Sequence, residues 1–128
     1  MAKVIFDTRF FIEHYYSGDQ RILRKTKDEI RRNRGRFISS IVIHEIYWLT
    51  LGCEGHETAV LRADLLEKDF KVVNIDAEIA RVSAELRRKY KLRLADSIIA
   101  ATALVLKATC LSDDPHLESV REIRTKWI

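Results

Sequence analysis

Residues 92–117 read LRLADSIIAATALVLKATCLSDDPHL, and this stretch decides the fold class of the chain. Its long apolar part predicts a buried helix over residues 95–107, and ATCLS at 108–112 predicts a short buried strand. Two acids, Asp113 and Asp114, follow the strand, where a turn and the cap of a further helix are both expected. A helix that leads directly into a buried strand is typical of an α/β fold.

Along the rest of the chain, short apolar runs alternate with helical stretches. Strands are predicted at residues 2–6, 36–39, 70–75 and, more exposed, 121–127, and helices at 8–16, 20–34, 41–51, 56–68 and 77–90. Gly35 and Gly52 are expected to end two of these helices. Right-handed crossovers between such strands imply a mostly parallel sheet with helices on both faces, which is a three-layer α/β/α sandwich. Since 128 residues is an ordinary domain length, we expect a single domain over residues 1–128.

The composition narrows the class of protein. Hydrophobic residues make up 47% of the chain and charged residues 33%, which is typical of a soluble globular domain. There is no run of about 18 apolar residues and no secretory signal pattern, so we expect a cytoplasmic protein without a membrane span. Cys53 and Cys110 are isolated, which fits neither a disulfide framework nor a CxxC metal site.

Four carboxylates occupy positions that a parallel sheet would bring to one edge. Asp7 directly follows the first strand, and Asp114 follows a later strand by two residues. Glu45 and Asp96 lie near the starts of two helices, at the ends that strand-to-helix connections bring to the same edge. Open α/β sheets bind their ligands at the carboxyl ends of the strands. We therefore expect the four side chains to converge.

Each of these acids also has an ordinary structural explanation. Asp7 and Asp114 can cap the helices that follow them, and Asp96 can be a first-turn acid that interacts with the helix dipole. Glu45 is harder to explain in this way, because its helix is apolar on almost every side and an unpaired buried carboxylate costs several kcal/mol. It must reach water, a cation or a metal.

The four acids together are more informative than each one alone. Two carboxylates about 4 Å apart repel by roughly 4 kcal/mol at an effective dielectric constant near 20, so four require neutralisation. An oxygen-only ligand set favours Mg²⁺ or Mn²⁺ over zinc. Such an ion can activate water, orient a phosphate and neutralise a leaving oxygen, which indicates phosphodiester hydrolysis.

Three segments carry a resemblance to a known family: VIFDT at 4–8, SSIVIHEIYW at 39–48, and the stretch 92–117. In their order and spacing the chain resembles a PIN-domain nuclease, most closely the small VapC-type toxins of toxin–antitoxin pairs, over essentially its whole length. The resemblance implies an α/β/α sandwich, Mg²⁺- or Mn²⁺-dependent cleavage of RNA, homodimerisation, and inhibition by a small partner antitoxin.

The same resemblance implies roles for individual residues. By position it assigns four acids to catalysis and metal binding, which are Asp7, Glu45, Asp96 and Asp114. It assigns the supporting hydroxyl to Ser112. The chain departs from the family at Arg9, which stands where many relatives have a small or apolar residue.

The distribution of charge favours a nucleic acid partner, DNA or RNA alike. The net charge is +4 despite the acidic quartet, so the remaining surface is more basic than this figure indicates. Basic residues concentrate at 21–36 and at 86–93, where Arg87, Arg88 and Lys89 are candidates for RNA binding. The alternative is a solvated helix surface with intrahelical ion pairs, and this alternative is favoured for 21–36.

Two other functional classes fit parts of the pattern. A receiver-like signalling domain has a similar length and sheet, and Asp76 stands where a phosphoacceptor could, but an acid pair after the first strand and a lysine after ATCLS are missing. A catalytically silent RNA-binding or scaffold module of the same fold would be expected if an acid were missing, and none is. Tyr47 and Trp48 are interpreted as core or dimer-contact residues at helical spacing.

Overall fold

The computed structural model describes residues 2–128, in which strands and helices alternate in the predicted order. The strands are β1 (Lys3–Phe6), β2 (Gly35–Ser39), β3 (Lys71–Val73), β4 (Thr109–Leu111) and β5 (Arg124–Lys126). The helices are α1 (Thr8–Tyr16), α2 (Gln20–Arg32), α3 (Ser40–Glu54), α4 (His56–Asp69), α5 (Ala77–Tyr90), α6 (Leu94–Leu106) and α7 (Pro115–Glu118). Within residues 2–128, none of the helices combines the length and the apolar character that crossing a bilayer requires.

The five strands form one parallel sheet in the order β3-β2-β1-β4-β5. β1 lies at the centre and pairs with β2 on one side and with β4 on the other. Helices flank the sheet, which confirms the predicted α/β fold with a central parallel sheet. Every strand therefore ends at the same edge, and the loops that follow β1 and β4 are neighbours.

The core is built from the strands, the aromatic residues of α1 and the helix α6. Phe6 makes edge-to-face contacts with Phe10 and Phe70, with ring centroids 4.8 and 5.0 Å apart. From Asp96 to Ala103 every residue of α6 is buried. A helix that is buried on all sides must contact other elements all round, and α6 contacts β1, β2, β4, α5 and α7. Its packing fixes the position of Asp96 relative to the sheet.

Several predicted element boundaries are wrong, and β3 and β5, for example, are shorter than the predicted ranges 70–75 and 121–127. α2 ends at Arg32 instead of reaching residue 34, because the Asn33 amide donates to the Glu29 carbonyl and ends the helix there. Gly35 is the first residue of β2, where a Cβ atom would lie 2.6 Å from the Ala2 carbonyl oxygen. α3 continues past Gly52 to Glu54 and ends at Gly55, whose φ of 89° favours glycine.

Candidate active site

Asp7 and Ser112 lie side by side because of the register between β1 and β4. Phe6 is opposite Leu111 in the sheet, so Asp7 and Ser112, the next residues, are also neighbours. The Asp7 N–H donates to the Leu111 carbonyl. The Ser112 hydroxyl donates to Asp7 Oδ2 at 2.6 Å, and the Thr8 N–H donates to Oδ1 at 2.8 Å. Both Asp7 and Ser112 are buried. Asp7 is thus the N-cap of α1 and a member of the buried cluster at the strand ends.

Asp114 belongs to the same hydrogen-bonded cluster. Its N–H donates to the Ser112 hydroxyl oxygen at 3.0 Å, so Ser112 connects the two acids. Asp114 Oδ1 accepts from the His116 N–H at 2.9 Å and caps α7, with Pro115 at the start of the helix. A carboxylate has two oxygens, so the capping role leaves Asp114 Oδ2 available for another partner.

Asp113 takes a different position from Asp114. Asp114 is buried, whereas the Asp113 side chain is 35% exposed and accepts a hydrogen bond from Arg9 Nε at 2.6 Å. Arg9 occupies the first turn of α1 and is 53% exposed. The two neighbouring aspartates therefore face different surroundings, one in the buried cluster and one at its rim.

Glu45 joins the cluster through a residue that the sequence analysis did not select. The Thr8 hydroxyl donates to Glu45 Oε1 at 2.5 Å, and Thr8 is the residue directly after Asp7. Glu45 is half-buried, and the Thr8 hydroxyl gives its carboxylate the polar partner that was expected for an acid on an apolar helix. Thr8 could have been selected from the sequence, because it places a hydroxyl directly after Asp7, the acid that follows β1.

Asp96 is buried in the first turn of α6. Among the side chains of residues 2–128, Asp96 Oδ2 is the buried polar atom that has no hydrogen-bond partner. Arg93 Nε lies 3.5 Å from this oxygen as an ion pair. Burial raises the pKa of the Asp96 carboxyl, and so does the charge of Asp114, while Arg93 lowers it. This oxygen accepts no hydrogen bond and has only the long ion pair with the exposed Arg93, so a further cation would stabilise it.

The buried acids influence each other electrostatically. Burial raises the pKa of Asp7 to about 6, hydrogen bonds from Ser112 and Thr8 oppose this shift, and the charges of Asp96 and Asp114 add to it. The structure therefore brings Asp7, Asp96 and Asp114 within electrostatic range of each other, with Glu45 attached through Thr8. Repulsion of this kind favours the binding of a positive ion.

Within residues 2–128, no group of three or more His, Cys, Asp or Glu side chains is arranged closely enough to hold a metal ion as it stands. The chemistry of the side chains nevertheless fits a hard divalent cation, because all four donors are carboxylates and one buried oxygen lacks a partner. The residues present are therefore compatible with Mg²⁺ or Mn²⁺.

The three basic residues proposed for RNA binding lie at the end of α5 and are all exposed. Arg87 and Arg88 line a groove of about 940 Å³ between α5 and α6, whose walls include Leu94 and Ile98. Lys89 instead pairs with Glu122, with its Nζ 3.2 Å from Oε2. Asp96 lies between Leu94 and Ile98 along α6 but is not among the residues that line the groove, because side chains two positions apart on a helix face different directions.

The family model for the PIN domain matches residues 4–123. No curated protein sequence matches the chain.

Solved structures match over nearly the whole chain. The toxin–antitoxin complex from Klebsiella pneumoniae has 26% identity and a TM-score of 0.76, with 98% of this chain and 100% of the other covered. VapBC from Salmonella typhimurium, bound to DNA, has 18% identity and a TM-score of 0.80, with 99% and 98% covered. VapC20 from Mycobacterium tuberculosis, a toxin that cleaves the sarcin–ricin loop, has 19% identity and a TM-score of 0.76, with 95% and 99% covered. By the match to the family model and by its fold, this chain belongs to the PIN domain family.

Proposed function

We propose that this chain is a metal-dependent endoribonuclease and the toxin of a toxin–antitoxin pair, acting in the cytoplasm as a single domain over residues 1–128. The observation that carries the proposal is the buried cluster of Asp7, Ser112 and Asp114 at the strand ends, within the electric field of Asp96, whose buried Oδ2 accepts no hydrogen bond. The similarity to toxin–antitoxin complexes and to a toxin that cleaves RNA supports the same assignment.

The residues have separate tasks in this mechanism. Asp7, Asp96 and Asp114, with Glu45, would hold Mg²⁺ or Mn²⁺. When bound, such an ion lowers the pKa of a water molecule and neutralises charge on the phosphate. Ser112 and Thr8 orient the acids: Ser112 donates to Asp7 and accepts from Asp114. Thr8 fixes the Glu45 carboxylate. Arg87 and Arg88, with Lys89 beside them, would contact the RNA backbone along α5.

The proposal is tested by incubating the purified protein with single-stranded RNA and Mg²⁺ or Mn²⁺. We expect cleavage within the strand that stops when EDTA is added. Cleavage that continues in EDTA would contradict a metal mechanism. RNA binding without cleavage under any metal condition would instead favour the catalytically silent RNA-binding module.

The two neighbouring aspartates provide a matched pair of variants. We expect Asp114→Asn to lose cleavage and Mn²⁺ affinity, because it removes a charge from the buried cluster. Asp113→Asn removes the same charge from the rim and should keep its Mn²⁺ affinity. If Asp113→Asn abolishes both properties in a folded protein while Asp114→Asn spares them, the assignment of Asp114 is wrong.

Two protein partners belong to the proposal. The first is a small cognate antitoxin, in line with the toxin–antitoxin complexes that share the fold. The second is another copy of the chain, through the exposed apolar face of α3, where Trp48 is 70% and Leu51 40% exposed. A large exposed apolar patch of this kind is typical of a contact surface. We expect Trp48→Ser to shift the protein toward a monomer in analytical ultracentrifugation, whereas an unchanged dimer would place the interface elsewhere.

A further inference from the structure

Arg9 and Asp113 form an ion pair at the rim of the acidic cluster. Arg9 Nε lies 2.6 Å and Nη2 3.5 Å from the two carboxylate oxygens of Asp113. The pair joins the first turn of α1 to the segment after β4. The buried hydrogen bond between Ser112 and Asp7 joins the same two segments. The ion pair therefore forms an outer layer over the buried link.

Stability does not explain this ion pair. The two side chains are 53% and 35% exposed, and ion pairs at such exposure contribute only about 0–1 kcal/mol. Arg9 is also no substitute for a metal ion, because it hydrogen-bonds to Asp113 at the rim and not to Asp7 or Asp114. Both of those acids nevertheless raise the pKa of Arg9, so its guanidinium lies within their electric field.

The guanidinium keeps donors available for another ligand. Arginine carries five N–H donors in a planar fork, and Asp113 engages two of them. The other donors belong to a side chain that is half exposed. A planar fork suits the oxygens of a phosphate group, and a guanidinium already oriented by a carboxylate loses less freedom on binding.

The charge of the site creates the need for such a cation. A single divalent ion and Arg93, which pairs with Asp96, would neutralise three of the four carboxylate charges, so an approaching phosphodiester would still meet a net negative charge. Arg9 is two residues from Asp7, and Asp113 directly precedes Asp114. We propose that Arg9 binds a backbone phosphate of the nucleic acid beside the metal-binding acids, and that Asp113 is the residue that positions it. This inference rests on the proposed nuclease function and assigns a substrate contact to that site.

The first test measures binding of a labelled single-stranded RNA oligonucleotide in EDTA over a range of salt concentrations. Each phosphate contact on a single strand contributes about 0.7 to the slope of log K against log salt concentration. We expect Arg9→Gln to bind roughly tenfold more weakly at low salt and to lower the slope by about 0.7. We expect Arg9→Lys to recover the slope but only part of the affinity, because an ammonium lacks the fork.

A matched control is Arg21→Gln, which removes an arginine from another exposed pair. Arg21 Nη2 lies 3.4 Å from Asp19 Oδ2, with the side chains 82% and 39% exposed. If Arg9→Gln changes affinity and slope no more than Arg21→Gln does, or if the wild-type protein binds no RNA, the inference is wrong. Since these measurements exclude metal, a protein that binds RNA but never cleaves it would refute the nuclease function without deciding the role of Arg9.

The second test separates positioning from simple charge. Asp113→Asn removes a negative charge near an anionic ligand, so charge alone predicts tighter RNA binding. If Asp113 orients Arg9, the same variant should bind RNA more weakly, with a salt slope near that of the wild type. We expect this second result. Tighter binding would show that Asp113 competes with phosphate for Arg9 and would overturn its positioning role. Circular dichroism and thermal unfolding establish that each variant is folded.

Discussion

Replacing Asp7 with asparagine should stabilise the metal-free protein. Asp7 is 2% exposed, and its burial beside Asp96 and Asp114 raises its pKa from 3.8 to about 6. The shape of the site tolerates an amide, because its oxygen can still accept from the Thr8 N–H. The Ser112 hydroxyl oxygen can accept from the new amide as well as from the Asp114 N–H, but its own hydrogen loses Asp7 Oδ2 as acceptor, which costs about 1 kcal/mol at every pH.

The magnitude follows from linkage between proton binding and folding. The folded-state pKa is raised, so the stability that protonated Asp7 contributes is fully present below about pH 3.8 and is lost as the pH rises through about 6. A shift from 3.8 to about 6 corresponds to about 3 kcal/mol at neutral pH, at about 1.36 kcal/mol per unit. Removing the charge should therefore contribute about 3 kcal/mol at pH 7.5, about 1 kcal/mol at pH 4.5 and almost nothing at pH 3, so the net gain of Asp7→Asn after the loss at Ser112 is about 2 kcal/mol at pH 7.5.

The assay is denaturant unfolding of wild type and Asp7→Asn in EDTA across this pH range, with Asp113→Asn as a control at a partly exposed acid. For a chain of this length, about 2 kcal/mol corresponds to a rise in Tm of roughly 8 °C. A variant that is no more stable than wild type at neutral pH, or whose advantage does not shrink as the pH falls, would show that the buried Asp7 charge does not destabilise the fold. Saturating Mn²⁺ should narrow the gap, because it binds the folded wild type preferentially.

Three further variants test the rest of the site. Glu45→Gln should lose most cleavage and weaken Mn²⁺ binding in a metal titration without unfolding the chain, and full activity would return Glu45 to a structural role. Thr8→Val removes the hydroxyl that holds Glu45 and should weaken Mn²⁺ binding roughly tenfold in the same titration. An unchanged affinity would mean that this hydrogen bond does not orient the glutamate. The triple change of Arg87, Arg88 and Lys89 to Gln should weaken RNA binding and lower its salt slope by about 2. An unchanged slope would favour a solvated helix surface.

The sequence alone determined the fold class and the position of two of the acids. Periodicity separates strands from helices, and parallel strands place their carboxyl ends at one edge, so Asp7 and Asp114 could be located from their places after β1 and β4. The difference in burial between Asp113 and Asp114, which the structure shows, has a local cause, because side chains alternate along extended backbone. These properties depend on neighbouring residues and on the general geometry of sheets.

The tertiary structure alone decided which side chains contact each other. Thr8 and Glu45 are 37 residues apart, and Arg9 and Asp113 are 104 apart, so no local pattern pairs them. The unpartnered oxygen of Asp96 likewise results from the packing of α6 against the sheet. Such contacts depend on how helices of a given length dock and on which rotamers the surrounding side chains permit, and a single sequence specifies these only through the complete fold.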